Sequence, residues 1–197
     1  MKTRALLTLA AATTMMAGCT TGGGRAAPVD VTRYHLSQPI PAGAVSIQPK
    51  DAVAGPEYRL YADAVAAQMA TMGFAPAAPG ASVDYIATVD FVRTDRGQVR
   101  TRPPVTIGLG GGGFGGNVGG GVGASVGLGS KTRTVYGSEL AVQLRRRGDN
   151  TVIWEGKAIT ESLGGAPGSQ PTDSATKLAA ALFKGFPGQS GITITVK

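Results

Sequence analysis

Between residues 108 and 129 the chain carries 13 glycines in 22 positions, and this tract limits the fold more than any other feature. Each glycine costs a helix ~1 kcal/mol relative to alanine, so a helix across the tract is forbidden in water. Two periodicities overlap there. Gly111, Gly115, Gly119, Gly123 and Gly127 recur every fourth residue beside Val118, Val122 and Val126; in a bilayer such a ladder lets helices approach closely. Val105, Ile107 and Leu109 on one arm, and Val122, Ala124, Val126 and Leu128 on the other, recur every second residue. That is the pattern of a hairpin with one apolar face. The branched residues favour strand arms, so residues 104–130 are expected to form a hairpin or a mobile loop inserted in a domain. The tract is no phosphate-binding loop, because it lacks a GxxxxGK string and Lys131 merely follows Gly129-Ser130.

The other unusual segment is the amino terminus. Lys2 and Arg4 precede an apolar run from Ala5 to about Met16, too short for a transmembrane helix of ~20 apolar residues but suited to an export signal. Met16-Ala17-Gly18-Cys19 then resembles the bacterial lipobox. Small Ala17 and Gly18 suit an extended chain in a peptidase site, and the thiol is the soft nucleophile that would receive a diacylglyceryl group. Residues 1–18 are therefore expected to be a signal peptide cut between Gly18 and Cys19. Cys19 is the expected lipidation site, with an acylated α-amine as well. Two or three acyl chains anchor stably where one does not. The resemblance also implies a location: Thr20 in place of an aspartate favours the outer membrane, with the domain facing the periplasm. Residues 19–28 are expected to be a flexible tether.

Removing residues 1–18 of 197 leaves 179, enough for a single domain, expected over residues 29–197. Net charge falls by two, from +7 to +5. Apart from Arg145-Arg146-Arg147 the basic residues are dispersed, and export removes the protein from nucleic acid. Contact with an anionic envelope surface is the better use of that charge. One cysteine rules out an internal disulfide.

Alternation predicts strands over Val29–Leu36, with Val29, Val31 and Arg33 on one side, over Ala44–Gln48, and over Val83–Val92, where both faces are partly apolar. Pro56–Met72 is predicted as a helix: Tyr58, Tyr61, Val65, Met69 and Met72 share one face, and Gly73 caps it. Asp95-Arg96-Gly97 is expected to turn the chain. Thr132–Leu144 and Thr151–Glu161 predict a hairpin, with Val152 and Trp154 on one side. Its tip, Arg147-Gly148-Asp149, spells an adhesion tripeptide that is read here only as turn chemistry. Thr172 is expected to cap a helix running to Phe183 or Lys184, and Ile192–Val196 closes the chain as a strand. The order β-β-α-β-(insert)-β-β-α-β predicts an α+β fold: a mostly antiparallel sheet with two helices packed on it, plus the glycine-rich hairpin or loop insert.

Catalytic patterns are missing. His35 is the only histidine and is placed at a strand end, so no His/Cys metal cluster can be built. Cys19 is consumed by lipid, and no G-x-S-x-G elbow occurs. Asp84 and Asp90, six apart on a predicted strand, would be ~20 Å apart, too far for a paired acid and base. No enzyme, metal site or cofactor is expected.

Several elements in order carry a family likeness: Val29-Asp30-Val31-Thr32-Arg33-Tyr34-His35, then Met72-Gly73-Phe74, then Asp84-Tyr85-Ile86-Ala87-Thr88-Val89 and a glycine-rich stretch, then Val152-Ile153-Trp154-Glu155-Gly156 and Phe186-Pro187-Gly188. Together they resemble the domain of unknown function 4136 family of bacterial envelope lipoproteins, from about Val29 to Val196. The resemblance implies an α+β domain that is exported and tethered to a membrane. It implies no reaction and no site residues. The expected function is a membrane-anchored, non-catalytic envelope lipoprotein, an accessory or binding module for another envelope protein or a cell-wall partner. The alternative is an oligomeric element that inserts its glycine-rich hairpin into a membrane.

Overall fold

The structure is a computed structural model that describes residues 27–51, 55–78, 80–100, 105–108, 125–128, 132–166 and 168–197. The fold is α+β. Seven strands form one sheet: β1 (Val29–His35), β2 (Ala44–Pro49), β3 (Ala75–Pro76), β4 (Tyr85–Arg100), β7 (Thr132–Arg146), β8 (Val152–Leu163) and β9 (Thr193–Val196). Their spatial order is β3-β2-β4-β7-β8-β1-β9. A separate pair, β5 (Val105–Gly108) and β6 (Ser125–Leu128), joins the arms of the glycine-rich insert, with Val105 opposite Leu128 and Ile107 opposite Val126. The arms therefore pair as the two-residue period implies. Gly127, one rung of the four-residue ladder, lies in β6. Leu109, Val122 and Ala124 lie outside the described residues.

The sheet is antiparallel except where β2 runs parallel to β3 and β4. A parallel pair needs a long crossover, and α1 (Pro56–Thr71) supplies it. Tyr61, Val65 and Met69, spaced by four, are its buried residues, with Tyr58 and Met72 packed at the margin of the core. Met72 is the C-cap, Gly73 follows at φ +88°, and the N–H groups of Gly73 and Phe74 bond Ala70 O and Met69 O at 3.0 and 3.1 Å. This is a Schellman closure, and it turns Phe74 back onto the core.

The second helix, α2 (Pro171–Phe183), begins one residue before the expected cap. Gln170 is the N-cap and Pro171 opens the helix, a position where a missing N–H costs nothing. Thr172 sits inside the first turn, where its carbonyl accepts from Thr176 Oγ1 at 3.1 Å. Ala175, Leu178, Ala179 and Leu182 form the buried stripe, and both helices share one core with Ala87 and Val89 of β4, Leu140, Val142 and Leu144 of β7, and Trp154.

Two expectations fail at β-bulges, where one strand gains a residue and its alternation changes phase. Asp95-Arg96-Gly97 does not end β4. Asp95 Oδ1 accepts the Gly97 N–H at 2.7 Å, and pairing with β7 resumes at Gln98–Thr134. The second irregularity places Leu144 opposite Trp154 and Arg145 opposite Val152. Ile153 is the extra residue, so Ile153 and Trp154 are both buried while Val152 is 36% exposed.

Candidate functional site

Gly18 and Cys19, the residues singled out for cleavage and lipidation, lie outside the described residues. Asp84 and Asp90 have separate tasks. Asp84 precedes β4, and its Oδ2 accepts the Ala44 N–H at 2.8 Å, joining β2 to β4; Asp90 pairs with Lys50 at 2.7 Å. Among the described residues no three His, Cys, Asp or Glu side chains are placed to share a metal ion, and no helix is long and apolar enough to cross a membrane.

The sequence elements that carry the family likeness meet at one end of the core. Phe74 lies edge-on to Tyr85 and Phe186, with centroids 5.7 and 6.0 Å away. Trp154 stacks on Phe183 at 5.5 Å and meets Phe186 at 5.2 Å, and its indole Nε1–H donates to Pro187 O at 3.0 Å. A Cβ on Gly156 would stand 2.5 Å from Trp154 Cη2 and 2.8 Å from Leu182 Cδ1, so the indole occupies the space that a side chain at 156 would need. The Ser37 N–H donates to His35 Nδ1 at 3.0 Å. The other ring nitrogen therefore carries the proton, which Nε2 donates to Gly188 O at 3.2 Å. His35 thus holds the chain after Phe186-Pro187-Gly188 to the end of β1.

Arg33 completes this node. It falls on the core side of β1, as the alternation implies, and is 3% exposed. Its Nε donates to Leu182 O at 2.8 Å and its Nη2 to Ala181 O and Lys184 O, each at 3.0 Å. No basic residue lies in the last turn of α2 itself; β1 supplies the cation that the negative helix end favours. Burial lowers the Arg33 pKa from its usual value. This cluster closes the fold, and every polar group named in it is engaged.

The opposite end of α2 differs. Arg93 continues the core-facing phase of β4 after Tyr85, Ala87, Val89 and Phe91. Its Nη2 donates to Ser169 O at 3.2 Å, and its guanidinium carbon lies 4.3 Å from the centre of the Tyr136 ring, a cation–π arrangement. The Arg93 Nε is buried with no hydrogen-bond partner among the described residues. The same holds for Ser138 Oγ, on the β7 residue directly opposite Arg93, for Ser162 Oγ, on the β8 residue opposite Tyr136, and for Tyr61 Oη. Tyr61 stacks on Phe91 at 3.5 Å; its phenol pKa is raised, mainly by burial and then by Glu57, with Arg93 opposing. A cavity of about 360 Å³ opens here, lined by Arg93, Arg133, Tyr136, Ser169 and Gln170 among others. The Arg93 guanidinium beside a helix start, in a cavity bordered by hydroxyl- and amide-bearing residues, can hold an anion; among the described residues no nucleophile–base pair accompanies it. Arg93, absent from the residues expected above, has a signal in the sequence: a charge in the buried phase of a strand, as at Arg33.

Residues 30–188 match the domain of unknown function DUF4136. An uncharacterized protein of Zymomonas mobilis is 33% identical over 213 aligned positions, covering 86% of this chain and 80% of that protein. Among solved structures, a PelC dodecamer from Paraburkholderia phytofirmans is similar at a TM-score of 0.42 and 13% identity, over 81% of this chain and 99% of that one. A PDZ domain protein from Parabacteroides distasonis reaches 0.47 at 8% identity, over 86% of this chain and 39% of that one. The match over residues 30–188 takes in all the elements that meet around Trp154: the chain belongs to the DUF4136 family of domains of unknown function.

Proposed function

We propose that this chain is a lipid-anchored envelope protein whose DUF4136 domain acts as a non-catalytic binding or accessory module for another envelope component, held at the outer membrane and facing the periplasm. The observation that carries the reading is Met16-Ala17-Gly18-Cys19 behind a charged and apolar leader. Supporting it, β1 begins at Val29 between β8 and β9, so a tether from Cys19 to Pro28 would join the anchor directly to the sheet. Such a tether reaches ~35 Å at full extension. The family elements are occupied in packing, and no acid–base or nucleophilic pair appears among them, which favours binding over turnover.

The test is mass spectrometry of the mature amino terminus together with membrane fractionation. The expected product starts at an acylated Cys19 and sediments with membranes, and Cys19→Ser is unprocessed and unacylated. A native chain that starts upstream of Cys19, or that is recovered in the soluble fraction, defeats the proposal.

The pairing of Val105 with Leu128 and Ile107 with Val126 favours a second reading, in which residues 104–130 insert into a membrane as a hairpin of an oligomer. Protease access separates the two: cleavage within 104–130 as fast as in the tether, in intact membranes, eliminates insertion.

A further inference from the structure

Both ends of α2 meet a core-facing arginine, but only one end suits it. A helix carries about half a positive charge at its amino terminus and half a negative charge at its carboxyl terminus. Arg33 sits at the negative end and bonds three carbonyls. Arg93 is held at the positive end through Ser169, immediately before the N-cap Gln170. None of the ion pairs among the described residues includes Arg93; Asp173, in the first turn of α2, does not reach it. Gln170 makes no side-chain cap bond to the helix. A like-charged helix end and a buried guanidinium N–H without an acceptor among the described residues thus meet at the cavity; two further unpartnered hydroxyls stand outside its lining, on Ser138 opposite Arg93 and on Ser162 opposite Tyr136. An unmet buried polar group is costly, and the Arg93 Nε asks for an acceptor that the described residues do not supply. The space beside Arg93 is polar, about 360 Å³ in volume, and includes Arg133 in its lining. One oxyanion would meet these demands together: it neutralises the guanidinium, accepts its N–H groups, and suits the positive end of the helix.

We infer that the cavity between Arg93, Arg133, Tyr136, Ser169 and Gln170 is a binding site for a phosphoryl oxyanion. The anion is a ligand here and undergoes no reaction. The inference names a ligand class for the binding module proposed above and rests on that reading only for the ligand's place in the envelope. The phosphoryl group has two possible sources, an anionic lipid headgroup or a soluble phosphate ester.

The experiment uses the full chain carrying Cys19→Ser, so that no acyl group masks binding; the uncleaved leader is common to every variant compared, and Arg93→Gln in that same chain controls for it. Inorganic phosphate is titrated calorimetrically and by thermal melting, against chloride at matched ionic strength. Phosphate is expected to bind and raise Tm beyond the chloride control. Arg93→Gln should weaken binding at least about tenfold, the loss expected on removing a charged donor. Arg96→Gln, which removes an equal charge outside the cavity, should bind as the parent does. Gln170→Glu places a carboxylate at the cavity wall. It is expected to raise Tm without phosphate and to abolish the phosphate response, and it keeps the test decisive should Arg93→Gln fail to fold. Equal phosphate and chloride responses, or equal losses in Arg93→Gln and Arg96→Gln, overturn the site.

Vesicles of phosphatidylcholine with and without phosphatidylglycerol then separate the sources. Capture by the anionic vesicles that inorganic phosphate reverses assigns the site to headgroups; phosphate binding without vesicle capture assigns it to a soluble ester. Because Cys19 is absent throughout, failure here leaves the anchoring proposal standing, and failure of anchoring leaves this site standing.

Discussion

Helix α2 meets two arginines from two strands, and the contrast between them separates what builds this fold from what it has to spare. Arg33, from β1, reaches the carboxyl end and bonds Leu182 O, Ala181 O and Lys184 O. Arg93, from β4, reaches the amino end and finds one carbonyl and the face of Tyr136, with its Nε unmet among the described residues. The residue type, the core-facing phase and the helix are the same. The carboxyl end offers carbonyls that need donors, so an arginine there closes the structure. The amino end offers N–H groups that need acceptors, so an arginine there adds to an existing surplus of donors. The first arrangement is complete within the chain, and the second has a donor to spare, which the proposed anion would meet.

Removing Arg33 should have the largest effect. Arg33→Met strips three carbonyls of a charged donor and is expected to cost about 3 kcal/mol or more in urea unfolding. Arg33→Lys should recover little, because an ammonium cannot reproduce the planar fork that spans Ala181, Leu182 and Lys184. A loss under 1 kcal/mol for Arg33→Met would show that the carboxyl end of α2 is closed by packing alone. Gly156→Ala probes the same node without touching charge. The added methyl would fall 2.5 Å from Trp154 Cη2, an overpacking that costs about 1–3 kcal/mol. Reduced Trp fluorescence shift on unfolding should accompany it, as the indole leaves its slot.

Arg93→Met comes next and tests the contrast directly. One carbonyl bond and a ring contact are lost, but a buried unmet N–H and a like-charged helix neighbour go with them. Stability should change by no more than ~1 kcal/mol in phosphate-free buffer. A loss as large as that of Arg33→Met would break the comparison and make Arg93 a second structural clamp.

Neither arginine's role can be read from local sequence, for a definite reason. Arg33 and its acceptors are about 150 positions apart, 149 for Leu182 O, and no short-range pattern encodes that meeting. What could be read was phase: Val29, Val31 and Arg33 alternate to one side, and the structure buries all three. The same test applied to Tyr85, Ala87, Val89, Phe91 and Arg93 would have exposed the second arginine. Local chemistry was legible where it is self-contained. Met72-Gly73-Phe74 closes α1 because a Schellman motif needs only adjacent residues, and Pro56 opens it; α2 instead opens at Pro171, one residue before the expected Thr172 cap. Bulges were not legible. Asp95-Arg96-Gly97 has turn composition, yet β7 extends far enough to pair Gln98, Val99 and Arg100 beyond it, and the partner strand decides between a turn and a bulge. The extra residue Ile153 broke the Val152/Trp154 alternation in the same way. The cavity beside Arg93 depends on β4, β7 and the loop before α2 coming together, so its lining was beyond reach from spacing alone.

The smallest predicted effect concerns a third cation, Lys177 of α2 itself. Lys177 donates from Nζ to Thr160 Oγ1 at 3.2 Å, and partial burial lowers its pKa from the usual 10.5. The folded chain therefore releases this proton at lower pH than the unfolded chain does. Between the lowered value and 10.5 the unfolded state holds more protons, so stability rises with pH across that window. At neutral pH the burial penalty on the charged amine is fully present. Tyr58 and Tyr61 act in the opposite sense, since burial raises their phenol pKa values and the unfolded state gives up those protons first as pH passes 10. The difference between the parent and Lys177→Met isolates the lysine. From pH 8 toward 10.5 the parent should gain stability relative to Lys177→Met in parallel urea titrations. A flat difference would place the amine in water and would leave Arg33 and Arg93 as the only cations whose energetics the two ends of α2 control.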